Sequence, residues 1–297
     1  MSGRKRVLLT GGSGFIGGNL LASPLAAAHE LLSPGHAELD LADTDAVDAY
    51  FRAHRVDAVV HCGGKPGHRN APDHEGLLRT NLRMYHNLAR HAPDLERMLV
   101  IGSGAVYGMR HYQPRMAEAY YGAHLPEDEH GFTQYLCEQH AAGSRNITFL
   151  RLFGVFGPGE DYAIRFISNL MAKAVCGLPL TMKQDRRFDY LWAADLAPVL
   201  AQWLERSPPE RAYNVTPDQT VGLRWLAGQI QVLSGKDLPV QVAQDGLGTE
   251  YSGDNRLLRR DFPGFSPTPF QESLPALYRW YEERAGGLRR EALLHDK

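Results

Sequence analysis

The sequence predicts an α/β fold: a doubly wound parallel sheet followed by a smaller C-terminal α/β lobe. Three observations predict it. The apolar run Val7-Leu8-Leu9 passes through Thr10-Gly11-Gly12-Ser13-Gly14-Phe15-Ile16-Gly17 into Asn19-Leu20-Leu21-Ala22, which is strand, glycine-rich turn and helix in that order. Further short apolar runs at 56–61, 98–101 and 147–152 alternate with helical segments, as strands joined by helical crossovers do. Two of these runs end in small residues, Cys62-Gly63-Gly64 and Gly102-Ser103-Gly104, where open parallel sheets bind their ligands. Residues 1–160 read as the sheet domain and 161–297 mainly as the lobe, with segments around 179–215 returning to the sheet.

Each glycine of the first turn has a separate use. Gly11 suits the tight turn, Gly14 lets the backbone approach a pyrophosphate, and Gly17 lets the helix pack closely on the strand. Backbone N–H groups around Ser13, Phe15 and Ile16 then face the phosphates with partial positive charge. A plain βα turn is the bland alternative. The strand and helix stand where the motif requires them, which favours a dinucleotide.

At 297 residues the chain can bury a substantial core. Its 43% apolar and 22% charged content are ordinary for a globular protein. A net charge of -2 with scattered basic residues gives no electrostatic argument for nucleic acid or an anionic membrane. Three cysteines, Cys62, Cys137 and Cys176, lack metal-ligand spacing and cannot all pair, which suits a reducing compartment. The histidines form no H-E-x-x-H or similar pattern, so no metal is expected. No apolar run approaches the ~20 residues of a membrane span, and Arg4-Lys5-Arg6 leads straight into a strand. A cytoplasmic protein is expected.

The spacing Gly11-x-x-Gly14-x-x-Gly17, led by Thr10, is similar to that of the short-chain dehydrogenase/reductase superfamily. Gly14-Phe15-Ile16-Gly17 resembles its extended branch, the NAD-dependent epimerases and dehydratases, which act mostly on nucleotide-sugars. The resemblance runs from about Val7 to Trp280. It implies NAD or NADP as cofactor, a nucleotide-sugar as small-molecule substrate, and a homodimer paired through helices of the serine- and tyrosine-bearing region.

Ser23-Pro24 falls where the first helix should continue, so that helix is kinked or short. The strand over 29–32 then meets Ser33-Pro34-Gly35-His36 without the acidic residue that would bind the adenosine ribose, leaving NAD and NADP both open. Glu38-Leu39-Asp40-Leu41 resembles the step by which the family contacts adenine, through Asp40 and Leu41. Asp43 reads as the N-cap of a helix over 46–54. After the buried strand at 56–61, Cys62, Gly63, Gly64 and Lys65 stand where the family has His-x-Ala-Ala, small enough for a cofactor to lie across the strand's end. A helix over 73–91 carries Asn81, matching an asparagine that braces the family's central strands; a surface polar residue is the alternative.

Ser103-x-x-Val106-Tyr107-Gly108 resembles the family's catalytic serine segment. Ser103 would hydrogen-bond the reacting oxygen and Tyr107 would touch substrate. Gly104 and Ala105 stand where sugar 4,6-dehydratases have Asp-Glu, and Ala105 where GDP-fucose-synthase-like enzymes have cysteine, so those two routes are not expected. Gly131-Phe132-Thr133-Gln134-x-x-x-Glu138 resembles the family's Gly-x-Ser-Lys-x-x-x-Glu, which puts His130 and Gln134 at the Tyr-x-x-x-Lys positions. A phenol titrates near ~10 and needs help to act as a base, whereas an imidazole near ~6.5 does not. Two readings fit this change: His130 as acid/base with Gln134 on the nicotinamide ribose, or a site that binds a dinucleotide without moving protons. Tyr107, Tyr120 and Tyr121 are candidate substitute acids.

The run at 147–159 resembles the family segment that closes over the nicotinamide, with Leu152 and Val155 on the cofactor and Gly154 in place of a sugar-binding asparagine. A helix over 163–175 and a strand over 178–182 follow. Residues 186–197 resemble the family's Arg-Asp-Phe stretch. A guanidinium fork matches paired phosphate oxygens, so Arg187 and Arg256 are candidates for a nucleotide diphosphate; solvated surface arginines are the alternative. Asp195 reads as the N-cap of a helix over 196–206. Strands over 213–215 and 239–242 flank a helix over 223–234, and a last helix over 271–285 buries Leu274, Leu277, Tyr278 and Tyr281. The charged tail after Gly286-Gly287 is expected to fray. The function that follows is an NAD(P)-dependent nucleotide-sugar epimerase or 4-ketoreductase with a histidine acid/base. A dinucleotide-binding sensor or pseudoenzyme, or an enzyme doing non-redox chemistry, is the alternative.

Overall fold

The structure, a computed structural model, describes residues 3–67, 73 and 75–294. Strand β1 (Arg6–Thr10) leads through the glycine turn to α1 (Phe15–Leu21), then α2 (Leu25–Ala28), β2 (Glu30–Leu32), α3 (Thr44–Ala53) and β3 (Ala58–His61). There follow α4 (Leu77–Ala89), β4 (Arg97–Ser103), α5 (Glu129–Ala141), β5 (Ile147–Leu152) and β6 (Gly154–Phe156). The second half runs α6 (Phe166–Val175), β7 (Leu180–Asp185), β8 (Arg187–Phe188), β9 (Tyr190–Trp192), α7 (Leu196–Glu205) and β10 (Ala212–Val215). It ends with β11 (Val221–Gly222), α8 (Leu223–Ser234), β12 (Val240–Leu247), α9 (Arg256–Asp261) and α10 (Phe270–Glu282).

Strands β1 to β5 and β10 form one parallel sheet in the order β10-β5-β4-β3-β1-β2. Their side chains are apolar on both faces, as a sheet covered on both sides requires. Val7, Leu9, Val60, Leu99 and Leu150 pack with Leu20 of α1 and the apolar face of α7. Leu8, Val59, Met98, Val100 and Phe149 pack on the other side with Val47, Tyr85, Leu88 and Cys137 of α3, α4 and α5. Strand order reverses at β1, with β2 on one side and β3 on the other, so a crevice opens at the C-terminal ends of β1 and β3. A second core joins α6, α8, α10 and the parallel pair β7–β12. Within 179–215, α7 and β10 pack into the sheet domain and β7 into the second core.

Local rules held at several boundaries. Ser23-Pro24 separates α1 from α2, and the Ser23 hydroxyl closes the end of α1 by donating to the Leu20 carbonyl at 2.6 Å. Asp43 accepts from the N–H groups of Asp45 and Ala46 and starts α3 two residues before the expected position. Asp195 is a correction. It does not cap α7; its carboxylate accepts from the N–H and hydroxyl of Thr268, at 2.9 and 2.6 Å, and anchors the segment leading to α10. A distant partner outcompeted the local one. Residue 74, inside the helix expected from Asp73, and residues 295–297 of the tail lie outside the described residues. Among the described residues no helix is long and apolar enough to cross a membrane, and no grouping of side chains could hold a metal ion.

Candidate active site

The crevice is built by close backbone contact. Gly11 has φ +73°, and a Cβ there would lie 2.7 Å from the Gly63 nitrogen. A Cβ on Gly17 would lie 2.2 Å from the Gly11 carbonyl oxygen, so the helix approaches the strand as only glycine permits. No side chain caps α1 at Gly14, which leaves first-turn N–H groups for an anion. Beneath the turn, Thr10 Oγ1 and His61 Nδ1 are 2.8 Å apart, and the Gly63 N–H donates to the same hydroxyl at 3.2 Å. Burial pushes the His61 imidazole down to about 4, so it stays neutral.

The cleft over this turn measures about 410 Å³ and is lined by Gly12, Ser13, Ser33, His36, Leu41 and Gly63, among others. Its features fit a dinucleotide: glycines with no room for a side chain, an uncapped helix start, and an apolar slot at Leu39 and Leu41. The Asp40 carboxylate accepts from the Ala42 N–H at 2.9 Å and closes a turn. Cys62 is held as a neutral thiol by burial, pushed up to about 12. The loop after β3 is clamped by Asn81, which accepts from the Lys65 N–H at 2.6 Å and donates to the Lys65 carbonyl at 3.1 Å. The Lys65 ammonium is bonded to Asp73 and to the Glu75 carbonyl.

The second part of the site begins where β4 ends. Ser103 accepts from the Ala105 N–H at 3.1 Å, opening the tight turn of residues 104–107. Tyr107 is a correction to the expectation of a substrate contact. It is 1% exposed, and its hydroxyl donates to Asn214 Oδ1 at 2.7 Å and accepts from Arg151 at 2.6 Å. Arg151 is paired with Glu138 and lies over the rings of Tyr107 and Tyr121. Glu138, the last residue of the Gly-Phe-Thr-Gln-x-x-x-Glu pattern, therefore ties α5 to β5 and to the serine turn.

Helix α5 is capped by Asp128, which accepts from the Gly131 N–H at 2.7 Å. It carries His130 in its first turn and Gln134 one turn later. A Cβ on Gly131 would lie 2.6 Å from the Ala105 carbonyl, so the helix start lies directly on the serine turn. The Gln134 amide oxygen comes within 3.5 Å of where a Gly102 Cβ would be. His130 is exposed by area, yet desolvation by the protein packed around its ring lowers its pKa. The Arg165 charge acts in the same direction and Asp128 opposes it. The imidazole is neutral near pH 7.

The lobe contributes residues that sequence spacing did not flag. The Tyr251 side chain lies beside the hydroxyls of Ser103 and Tyr112. Arg165, exposed at the start of α6, bears electrostatically on His130, Tyr190 and Tyr251 and has no ion pair among the described residues. The two expected arginines are exposed and have local partners. Arg187 donates to the Thr220 hydroxyl and carbonyl, both at 2.9 Å, and Arg256 pairs with Asp254 at 2.6 Å. Gly154 faces the Tyr190 ring, 2.8 Å from where a Cβ would be, so an asparagine has no room. Leu152 is the buried register partner of Ser103, and Val155 is half-buried on β6.

A family model described as NAD dependent epimerase/dehydratase family matches residues 7–216. GDP-L-colitose synthase of Yersinia pseudotuberculosis is 31% identical over 106 residues, which are 34% of this chain and about a third (34%) of that protein. UDP-glucose 4-epimerase of Bacillus subtilis is 23% identical across 95% of this chain and 98% of its own length. The crystal structure of a GDP-L-fucose synthetase from Naegleria fowleri superposes with a TM-score of 0.82 at 16% identity, covering 97% of each chain, and so shares the fold. From the glycine turn through β10, the chain belongs to the NAD dependent epimerase/dehydratase family.

Proposed function

We propose that the protein is an NAD(P)-dependent enzyme that epimerises or reduces a nucleotide-linked sugar, with His130 as its acid/base. One observation carries this reading: the serine turn and the start of α5, which bears His130, pack together at the C-terminal edge of the sheet that also bears the cleft over the glycine turn. The names of the relatives, which act on GDP- and UDP-linked sugars, support the substrate class. The dinucleotide, held by the turn Gly11 to Ile16 and against Leu41 and Gly63, supplies hydride chemistry when bound.

The chain's own residues do the rest. Ser103 hydrogen-bonds the reacting oxygen. His130 accepts the proton of a sugar hydroxyl in the oxidising direction and returns it in the other; its lowered pKa keeps it in the accepting form. The family's lysine would push such an imidazole further toward neutral, and the uncharged Gln134 leaves it titratable. Gln134 offers both a donor and an acceptor to the ribose hydroxyls. Arg165, with its free guanidinium, is better placed than Arg187 or Arg256 to meet a substrate diphosphate.

The test is turnover of a panel of GDP-, UDP- and dTDP-linked sugars and 4-keto sugars with NADPH, NADH, NADP or NAD, read by nicotinamide absorbance and product mass. Ser103→Ala and His130→Ala are each expected to lower kcat by about 10²–10³-fold. Unchanged rates in both variants refute the reading. The absent Tyr-x-x-x-Lys pair favours a second reading, a binding protein, which predicts tight dinucleotide association and no turnover of any panel member.

A further inference from the structure

The segment of residues 251–254 lies across the serine turn, and hydrogen bonds hold it there on both edges. The Tyr251 N–H donates to the Arg187 carbonyl at 3.0 Å, beside a bridge between Phe188 and Tyr251. The Met116 N–H donates to the Ser252 carbonyl at 2.9 Å, and the Asp254 N–H donates to the Met116 carbonyl at 2.8 Å. The Gly253 N–H donates to Asp189 Oδ2 at 2.6 Å, and the Asn214 amide donates to the Asp254 carbonyl at 3.1 Å. The Phe153 ring fills the space between Gly104 and Gly253, so closely that a Cβ on either would lie 2.6 or 2.4 Å from it. Glycine at both positions is what lets the lobe come this near the serine.

These contacts fix one side chain. The Tyr251 ring packs on Tyr112, Phe153 and Phe188, with centroids 4.7, 5.2 and 5.6 Å away. The side chain lies beside the hydroxyls of Ser103 and Tyr112, and the Tyr112 hydroxyl donates to the Gly104 carbonyl. Ser103 at the end of β4 and Tyr251 thus stand side by side at the serine turn, while His130 lies on the helix packed against the same turn.

We propose that Tyr251 is a second hydrogen-bond donor to the reacting substrate oxygen, gripping it together with Ser103 while His130 moves the proton. The proposal rests on the nucleotide-sugar reading above. A single phenol that both binds the oxygen and exchanges its proton is replaced here by two groups from different elements. The chemistry of each suits its share. Burial pushes the Tyr251 phenol up to about 12, only partly offset by the neighbouring hydroxyls, so it remains a donor at every working pH. The His130 imidazole is shifted the opposite way and remains free to accept. A preorganised neutral donor aimed at an oxygen that gains negative charge lowers the barrier without itself releasing a proton.

Tyr251→Phe keeps the ring packing and deletes only the hydroxyl. On the panel sugar that the wild type turns over, kcat is expected to fall about 10²–10³-fold with NADPH affinity unchanged. The limb of the pH profile that belongs to His130 stays in place. The Tyr251→Phe/Ser103→Ala double variant loses less than the product of the single losses, because both donors hold one oxygen. A readout independent of turnover uses fluorine NMR of protein labelled with fluorotyrosine. The resonance missing from Tyr251→Phe identifies residue 251, and Ser103→Ala is expected to shift it. A Tyr251→Phe enzyme as fast as wild type, or a resonance indifferent to Ser103→Ala, overturns the proposal and leaves the nucleotide-sugar reading standing. A wild type inert toward the whole panel defeats that reading, and the oxygen-binding role falls with it.

Discussion

His61 shows how a single buried residue beneath the glycine turn ties stability to pH. Its ring is 6% exposed and hydrogen-bonded to Thr10, and burial holds its pKa at about 4, below the ~6.5 of an unfolded histidine. The unfolded chain therefore takes up a proton at higher pH than the folded one. The effect is absent above the unfolded pKa, and stability declines as pH falls from there toward about 4, by roughly 3 kcal/mol in full. Replacing His61 with Gln, which does not titrate, is expected to flatten the fall in Tm between neutral and mildly acidic pH. A slope equal to that of the wild type would show that other groups carry the acid sensitivity.

Among elements, the join of α5 to β5 deserves the heaviest weight. Arg151 and Glu138 are both buried, and Arg151 also holds the Tyr107 hydroxyl that reaches Asn214 on β10. Removing one partner strands a charge in the core, so Glu138→Ala is expected to cost about 3–5 kcal/mol in urea unfolding. Replacing both with apolar residues, Glu138→Leu with Arg151→Met, should recover much of that loss. The sequence pattern identified Glu138 and fixed the register of α5, because helix spacing is a local property. It could not show that Tyr107 points inward. A tyrosine after a strand reads the same whether its hydroxyl meets substrate or Arg151, and residue 151 is far along the chain.

For the whole molecule, both parts bring residues to the candidate site. The sheet domain carries the cleft over the glycine turn, Ser103 and His130, and the C-terminal half carries Tyr251 and Arg165. Gly253→Ala, whose Cβ would press on the wedged Phe153 ring, is expected to displace residues 251–254. Turnover should then fall by at least an order of magnitude, comparable to loss of a donor, while NADPH titration gives an unchanged affinity. Equal losses in both measurements would mean that the lobe also shapes the cofactor cleft.

The sequence by itself determined the α/β class, the glycine turn after β1 and the tight turn after Ser103, since each depends on residues within one strand–turn–helix unit. Hydrophobic period, glycine φ and helix spacing act over a few residues and leave their mark in the chain order. Tertiary structure alone decided that Asp195 anchors Thr268 instead of capping a helix, that Arg187 and Arg256 are already paired, and that Tyr251 arrives at Ser103. Those outcomes depend on which distant groups meet when two cores pack together, and no local spacing encodes that meeting.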